Sequence, residues 1–219
     1  CKSAVTEFGP WDGARVLDLG GRDVNGTART QLLRYRDVLS HVLDIRDSPE
    51  VDYVADARAW TSPRPHHLVL CTEVLEHVRD WRGAVGNLKG VLATGGTLLA
   101  TTRSIGFRYH GYPFDFWRYQ PEDIAILFAD MAIGVIESDP IAPGVFFTAR
   151  KPHGFKEARL DEYRLHSVVC GRRCASVSSV QLALFLHVKR PVTRFFARQV
   201  RSVRKWIGAS GAANAAGGR

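Results

Sequence analysis

Short apolar runs alternate along the first 150 residues with stretches whose apolar residues recur at helical spacing. The runs are rich in Val, Leu and Ile and are bounded by Gly, Pro, Asp or Ser, which is typical of buried strands. They predict strands at residues 15–19, 41–45, 53–55, 67–71, 96–101, 131–137 and 144–150. The amphipathic stretches predict helices at residues 28–39, 81–92 and 121–128.

The order of these elements predicts an α/β fold with a doubly wound, mostly parallel seven-stranded sheet. Only the short segment 139–144 joins the last two strands. It is too short for a crossover helix, so these strands are expected to pair antiparallel. A terminal hairpin of this kind is absent from a plain dinucleotide-binding fold.

The charge of the chain changes after residue 151. Residues 151–219 hold 14 Lys and Arg against 3 Asp and Glu, whereas residues 1–150 hold 16 against 19. We predict a main domain over residues 1–151, a basic and partly amphipathic helical extension over 152–207, and a disordered tail over 208–219. The extension suits a membrane surface or an acidic partner, and the alternative is a helix packed on its own domain.

The remaining composition is that of an ordinary globular protein, with 45% hydrophobic and 24% charged residues. No apolar run approaches the length of a membrane span and no signal-peptide pattern is present, so a cytoplasmic location is expected. The four cysteines do not form a disulfide framework. Cys170 and Cys174 lack a second ligand pair at zinc-like spacing, so no zinc site is predicted there.

The first predicted strand runs directly into a glycine turn that is suited to a nucleoside ligand. Its glycines, Gly20, Gly21 and Gly26, are not spaced as Gly-x-Gly-x-x-Gly, the pattern that holds a pyrophosphate. Asp18 near the strand end disfavours a phosphate and favours a ligand with sulfonium and ammonium groups. Asp44 ends the second strand, where it can bind a ribose diol. These features indicate S-adenosylmethionine (SAM).

Four segments in this order resemble the class I, Rossmann-like SAM-dependent methyltransferases, and among them the small bacterial enzymes that act on sugars, lipids and natural products. They are the glycine loop at 16–26, the strand end at 43–46, the turn at 54–57 and the fourth strand with its turn at 68–78. The resemblance covers residues 10–151. It departs from the family at residues 21–23, which read Gly-Arg-Asp where many members have Gly-x-Gly.

The resemblance implies SAM as the cofactor and a role for each residue around it. Asp44 would hold the ribose hydroxyls, Ile45 would lie against the adenine face, and Asp56 with the backbone of Ala57 would bind the adenine amino edge. The alternative for Asp44 and Asp56 is a strand-end carboxylate that caps the next turn. The expected cofactor-binding residues are Asp18, Gly20, Gly21, Asp44, Ile45, Asp56, Ala57, Cys71 and Thr72.

The acceptor is expected to bind at the aromatic loop of residues 101–119, because α/β sheets bind ligands at the carboxyl ends of their strands. His110 is the predicted general base and Asp115 the carboxylate that holds it, with His77 as the competing base. The alternative is a satellite core of aromatic rings with an internal salt bridge between Asp115 and Arg118. The expected acceptor-binding residues are Arg103, Tyr109, Tyr112, Trp117 and Arg118.

We therefore predict a SAM-dependent methyltransferase that methylates an oxygen of a hydroxylated acceptor, a saccharide or a natural product. One alternative is an RNA methyltransferase that uses the basic extension, and another is a SAM-binding scaffold without catalysis. Residues 71–74 read Cys-Thr-Glu-Val and lack the Asn/Asp-Pro-Pro-Tyr/Phe motif of base-amino methylation, so nucleic acid is the less favoured partner.

No metal is expected in this enzyme. The adjacent Asp-Asp pair that metal-dependent sugar methyltransferases usually have is missing from the sequence. The alternative is a divalent ion held by Glu73, Glu76 or Asp115, which could orient a sugar diol.

Overall fold

The computed structural model describes residues 2–22, 28–111 and 113–191. The predictions for Gly26, for Tyr112 and for the extension and tail from residue 192 onwards lie outside the described residues. By its internal contacts the chain divides into two compact units, Cys1–Ser176 and Val177–Arg219.

The described residues contain ten strands and four α-helices. The strands are β1 (Arg15–Leu19), β2 (Leu39–Asp44), β3 (Tyr53–Val54), β4 (His66–Thr72), β5 (Leu92–Arg103), β6 (Trp117–Arg118), β7 (Ala132–Ser138), β8 (Gly144–Arg150), β9 (Leu165–Ser167) and β10 (Arg172–Cys174). The α-helices are α1 (Lys2–Glu7), α2 (Trp81–Gly90), α3 (Pro121–Leu127) and α4 (Ser179–Leu184). Two 3₁₀ helices, Ala28–Arg34 and Leu75–His77, and a π-helical stretch, Phe185–Lys189, complete them.

A seven-stranded sheet with the order β3-β2-β1-β4-β5-β8-β7 forms the centre of the first unit. The first five of these strands run parallel, whereas β8 pairs antiparallel with both β5 and β7. The predicted doubly wound sheet and its terminal antiparallel hairpin are therefore confirmed. In this order the ends of β1 and β4 are neighbours, with Leu19 paired to Cys71.

The central strands contain continuous apolar runs because both faces of the sheet are covered there. Leu68, Val69, Leu70, Leu98 and Leu99 have no solvent exposure. Helix α2 begins at its cap Asp80, whose carboxylate accepts the Gly83 N–H at 3.1 Å, and it buries Trp81, Ala84, Val85 and Leu88. The core thus fixes the strand ends that carry the polar residues described below.

The predicted helix at 28–39 is a 3₁₀ helix that ends at Arg34, and β2 begins at Leu39. The apolar face of this segment is uneven, since Leu32 is buried while Leu33 is 86% exposed. Asp37 has a positive φ of 56°, which a continuing helix cannot adopt. The Leu39 N–H then donates to Ala14 O at 2.9 Å, so the backbone joins the sheet.

Residues 152–176 also differ from the prediction, because they belong to the first unit rather than to a helical extension that starts at 152. Strands β9 and β10 form a second, three-stranded sheet with β6, in the order β10-β9-β6. The Arg82 guanidinium donates to the carbonyls of Leu160, Tyr163 and Ala175 at 2.9, 2.5 and 2.8 Å. These bonds and the buried side chain of Leu165 fasten the segment to α2 and β6.

The second unit is helical where it is described. Helix α4 begins with a capping box, in which Ser178 Oγ accepts the Gln181 N–H and Gln181 Oε1 accepts the Ser178 N–H. It continues into the π-helical stretch. Among the described residues, no helix has both the length and the apolar character needed to cross a membrane.

Candidate active site

The glycine turn at the end of β1 brings three strand ends together. Gly20 has a φ of +72°, and its N–H donates to Leu43 O at 2.7 Å. A Cβ at Gly20 would overlap the Val74 side chain, and a Cβ at Gly21 would overlap the Asp18 carboxylate. The turn therefore lies directly against the segment that follows β4, and both positions need glycine because neighbouring protein atoms occupy the space of a side chain.

Asp18 is almost fully buried below this turn and forms an ion pair with Arg29 at 3.3 Å. A ligand ammonium group at Asp18 would therefore share the carboxylate with Arg29. At the end of β2, Asp44 Oδ1 accepts the Arg46 N–H at 2.9 Å. Ile45 follows it with 63% of its surface exposed, an apolar side chain that is open to a planar ligand ring.

In the turn after β3, Asp56 caps the backbone of the following turn, as in the alternative to adenine binding given above. Asp56 Oδ1 accepts the Arg58 N–H at 2.9 Å, and Oδ2 accepts two bonds from the Arg58 side chain at 2.6 and 2.8 Å. These bonds outweigh burial and hold the pKa of Asp56 below its ordinary value. The Ala57 carbonyl accepts the Asn87 amide at 2.7 Å. Both adenine-binding candidates thus already have partners within the protein.

Cys71 and Thr72 end β4 beside the glycine turn. Cys71 is fully buried, and burial raises the pKa of its thiol, so it packs as a small apolar side chain. Thr72 is partly exposed at the strand end. The next residue, Glu73, has a left-handed φ of 59°, which is uncommon for a residue other than glycine.

A polar cluster follows this bend, and we call Glu76, His77 and His110 the His-Glu cluster. Glu76 is fully buried in the 3₁₀ helix Leu75–His77, and its Oε2 accepts the Thr102 hydroxyl at 2.8 Å. Its Oε1 lies 3.5 Å from His110 Nε2 and 4.0 Å from His77 Nε2. The centroids of the two imidazole rings are 4.7 Å apart. The structure thus brings together both predicted catalytic histidines and a carboxylate that sequence reasoning had considered only as a metal ligand.

His110 lies between two carboxylates. Its Nδ1 is 3.0 Å from Asp115 Oδ2, and its Nε2 faces Glu76. Hydrogen bonding to Asp115, and then the Glu76 carboxylate, outweigh burial and raise the pKa of His110 to about 9. The imidazole therefore carries a proton at neutral pH, which differs from the free base that the sequence suggested.

Asp115 is held in turn by Arg118, and both side chains are buried. Arg118 donates to the two carboxylate oxygens at 2.6 and 2.8 Å and to the carbonyls of Phe107 and Arg108. Burial alone would raise the pKa of Asp115, but the bonds from Arg118 and His110 hold it well below its usual range. Arg118 thus fixes the course of the loop that carries His110.

The expected acceptor contacts of Trp117 and Arg118 are corrected by this geometry. Trp117 has no exposed surface, and its indole N–H donates to Val78 O at 3.0 Å. Arg118 is 1% exposed and is fully engaged within the loop. Both residues shape the loop from inside, since they form β6, which pairs with β9 in the three-stranded sheet. Tyr109 is half-buried in the same loop.

A cavity of about 460 Å³ lies beside the cluster, along the end of β5. Arg103 forms ion pairs there with Glu73 and Asp139, and its guanidinium lies 4.1 Å from the Phe107 ring centroid. Burial and the nearby Glu76 raise the pKa of Glu73. Glu137 and Asp139 were not predicted, since nothing in the strand pattern marks them. The charged and polar lining comprises Glu7, Glu73, Thr101, Thr102, Arg103, Glu137, Ser138 and Asp139.

No protein-family model matches the sequence, and no curated protein matches it significantly. Solved structures are similar. The 1,6-didemethyltoxoflavin-N1-methyltransferase of Burkholderia thailandensis, solved with S-adenosylhomocysteine, is 14% identical with a TM-score of 0.54 over 69% of this chain and 76% of that one. The N-methyltransferase NodS of Bradyrhizobium japonicum, also with S-adenosylhomocysteine, is 17% identical with a TM-score of 0.50 over 64% and 79%. The [4+2]-cyclase SpnF is 16% identical with a TM-score of 0.54 over 69% and 79%.

These likenesses, together with the strand order, define the architecture. The chain has the fold of the class I, Rossmann-like SAM-dependent methyltransferases. Since the same fold includes a cyclase, the reaction has to be argued from the site.

Proposed function

We propose that this protein is a SAM-dependent methyltransferase that methylates a hydroxyl oxygen of a saccharide or a small natural product. One observation carries the proposal. The glycine turn after β1 lies against the segment after β4, and that segment bears Glu76 and His77 of the His-Glu cluster. The expected cofactor site and a cluster able to handle protons thus adjoin at one edge of the sheet.

The residues at this edge fit SAM. Gly20 and Gly21 form a tight turn at the end of β1, Ile45 offers an exposed apolar surface for adenine, and Asp44 stands at the strand end where a ribose diol would bind. Similar structures contain S-adenosylhomocysteine, which supports this assignment. When bound, SAM supplies a methyl group that is activated by a sulfonium leaving group. The protein then has to align the acceptor with this group and exclude water.

The acceptor side favours a hydroxylated molecule. The cavity beside the cluster offers the carboxylates of Glu73, Glu137 and Asp139 and the guanidinium of Arg103, which are hydrogen-bonding partners for hydroxyl groups. Thr102 lines the same cavity and donates to Glu76, so the cavity and the cluster are linked.

The acceptor hydroxyl needs activation because its own pKa is high. His110 is protonated at neutral pH, so it does not provide this activation as a free base. We assign the task to the His-Glu cluster as a unit, in which His77 Nε2 accepts the hydroxyl proton and Asp115 is the positioning residue that fixes the His110 ring. The two alternatives, RNA methylation through the basic extension and a scaffold without catalysis, are outcomes of the test below.

The test is a methyl-transfer screen with labelled SAM against saccharide, phenolic and RNA acceptors. We expect transfer to a saccharide or phenolic hydroxyl. His110→Ala should lower turnover by about a hundredfold with unchanged SAM affinity, because it removes a group that acts outside the cofactor site. His153→Ala, at an exposed histidine, is the matched control. Transfer to RNA alone would favour the first alternative, and SAM binding without any transfer would favour the scaffold.

A further inference from the structure

Three potential metal-ligating atoms converge in the His-Glu cluster. Glu76 Oε1, His77 Nε2 and His110 Nε2 all lie within 4.8 Å of one another. Glu76 has no solvent exposure, and within the described part of the chain its Oε1 accepts no well-formed hydrogen bond, since the nearest donor, His110 Nε2, lies 3.5 Å away. A buried carboxylate oxygen without a well-formed hydrogen bond is costly, so this atom points to a ligand that the site is built to hold.

The outer bonds of both histidines direct their other ring nitrogens into the cluster. His77 Nδ1 lies 2.6 Å from Phe114 O, and since a carbonyl only accepts, Nδ1 carries the proton there. His110 Nδ1 donates in the same way to Asp115 Oδ2 at 3.0 Å. A metal binds the neutral imidazole, so His110 releases its Nε2 proton when the ion binds, and the Nε2 lone pairs of both rings then face Glu76. Histidines that bind metals typically donate their second N–H to a carbonyl or a carboxylate in this manner.

We propose that the His-Glu cluster binds a divalent transition-metal ion through Glu76 Oε1, His77 Nε2 and His110 Nε2. Two imidazoles and one carboxylate suit Zn²⁺, Co²⁺ or Fe²⁺, whereas Mg²⁺ and Ca²⁺ prefer oxygen ligands alone. Four-coordinate zinc holds its ligand atoms about 3.3 Å apart. Glu76 Oε1 is 3.5 and 4.0 Å from the two nitrogens, so small side-chain movements close the site.

The surroundings support a cation at this point. The second carboxylate oxygen of Glu76 is fixed by Thr102, and the Asp115 behind His110 is fixed by Arg118. Three protein ligands leave a coordination position open, as in catalytic rather than structural zinc sites. An acceptor hydroxyl could occupy that position and become more acidic there. This last step rests on the proposed function, whereas metal binding itself does not.

The test uses the full chain after metal has been removed with a chelator, in the absence of SAM. Co²⁺ is titrated and followed by its visible absorption, and Zn²⁺ is titrated by calorimetry. We expect one ion per chain, with nitrogen-ligand absorption bands for Co²⁺. Glu76→Gln and His77→Gln should each weaken binding about tenfold or more. His77 is the safer variant for folding, because its side chain is 17% exposed whereas Glu76 is fully buried.

Two controls separate this site from other sources of binding. His153→Ala removes an exposed histidine, and the double variant Cys170→Ser/Cys174→Ser removes two partly exposed thiols that could also bind zinc. Both should bind Co²⁺ like the unmodified chain. The proposal is overturned if binding is not saturable, if the cluster variants bind equally well, or if only the cysteine variant loses the ion. A parallel SAM titration keeps the two proposals distinct, since a chain that binds Co²⁺ but not SAM contradicts the proposed function alone.

Discussion

A buried ion pair organises the loop that carries His110. Asp115 and Arg118 are both almost completely inaccessible to solvent, and Arg118 also donates to two loop carbonyls. Removing one member of such a pair leaves the other charge buried without compensation. The pair therefore positions the cluster, and it also makes the loop sensitive to a single substitution.

We expect Asp115→Asn to lower the free energy of unfolding by about 3–5 kcal/mol, because the Arg118 charge loses its partner. Urea denaturation measures this change. Asp161→Asn is the matched control, since its pair with Arg159 is exposed and should contribute no more than about 1 kcal/mol. Equal losses in the two variants would show that the buried pair has no special role.

The sequence alone indicated which residues of this loop are notable, but not where the fold places their side chains. The sequence marks His110, Asp115 and Arg118 as unusual in an aromatic segment, and it leaves both a binding and a packing interpretation open. Trp117 and Arg118 form β6, which pairs with β9, and β9 is made of residues far along the chain. Asp44 and Gly20 could be placed from the sequence without such a distant partner, because Asp44 ends β2 and Gly20 directly follows β1.

The central strands were predicted well because each is a run of apolar residues long enough to be recognised. Strands β9 and β10 were missed, since each has only three residues and most of these are polar. They exist because β6 and Arg82 provide partners, which no local pattern reveals. The helix predicted at 28–39 failed for a similar reason, because sheet pairing at Leu39 overrides helical propensity.

Strand β4 contains a buried histidine that should make stability depend on pH. Burial lowers the pKa of His66 below its ordinary value. Below about pH 6.5 the unfolded chain therefore binds a proton more readily than the folded chain does, so stability falls as the pH drops towards the folded pKa. We expect His66→Gln to lose less stability between pH 7 and 5 than the unmodified chain in urea denaturation. His153→Gln, at an exposed histidine, is the control and should lose as much stability as the unmodified chain. If His66→Gln loses as much stability between pH 7 and 5 as this control does, the assignment is contradicted.

The segment 152–176 should behave as part of the first unit. A chain that ends at residue 176 is expected to keep the melting temperature of that unit, whereas one that ends at residue 152 should melt many degrees lower. Leu165 and Val169 are buried, and each contributes about 1.5–3 kcal/mol. For a protein of this size about 1 kcal/mol corresponds to about 2–4 °C. Calorimetry measures the melting temperatures of the two chains. Equal melting temperatures would show that the first unit ends at residue 151.

The arrangement of the first unit as a whole connects its fold to its chemistry. Strand order makes β1 and β4 neighbours, so a glycine turn and a buried polar cluster meet at one edge of the sheet. The cofactor half of this edge was predictable from sequence because it lies at strand ends. The cluster was only partly predictable, since Glu76 and His110 come from distant segments that the fold brings within 3.5 Å.

The central claim is SAM binding at the ends of β1 and β2, and a calorimetric titration of SAM into the full chain and into Asp44→Ala tests it most directly. We predict one SAM per chain, with binding weakened in Asp44→Ala by about 1.5–3 kcal/mol, the contribution of a charge-assisted hydrogen bond. Asp161→Ala, at an exposed aspartate, should bind like the unmodified chain. Absence of SAM binding in the unmodified chain, or an unchanged affinity in a folded Asp44→Ala variant, would contradict the account.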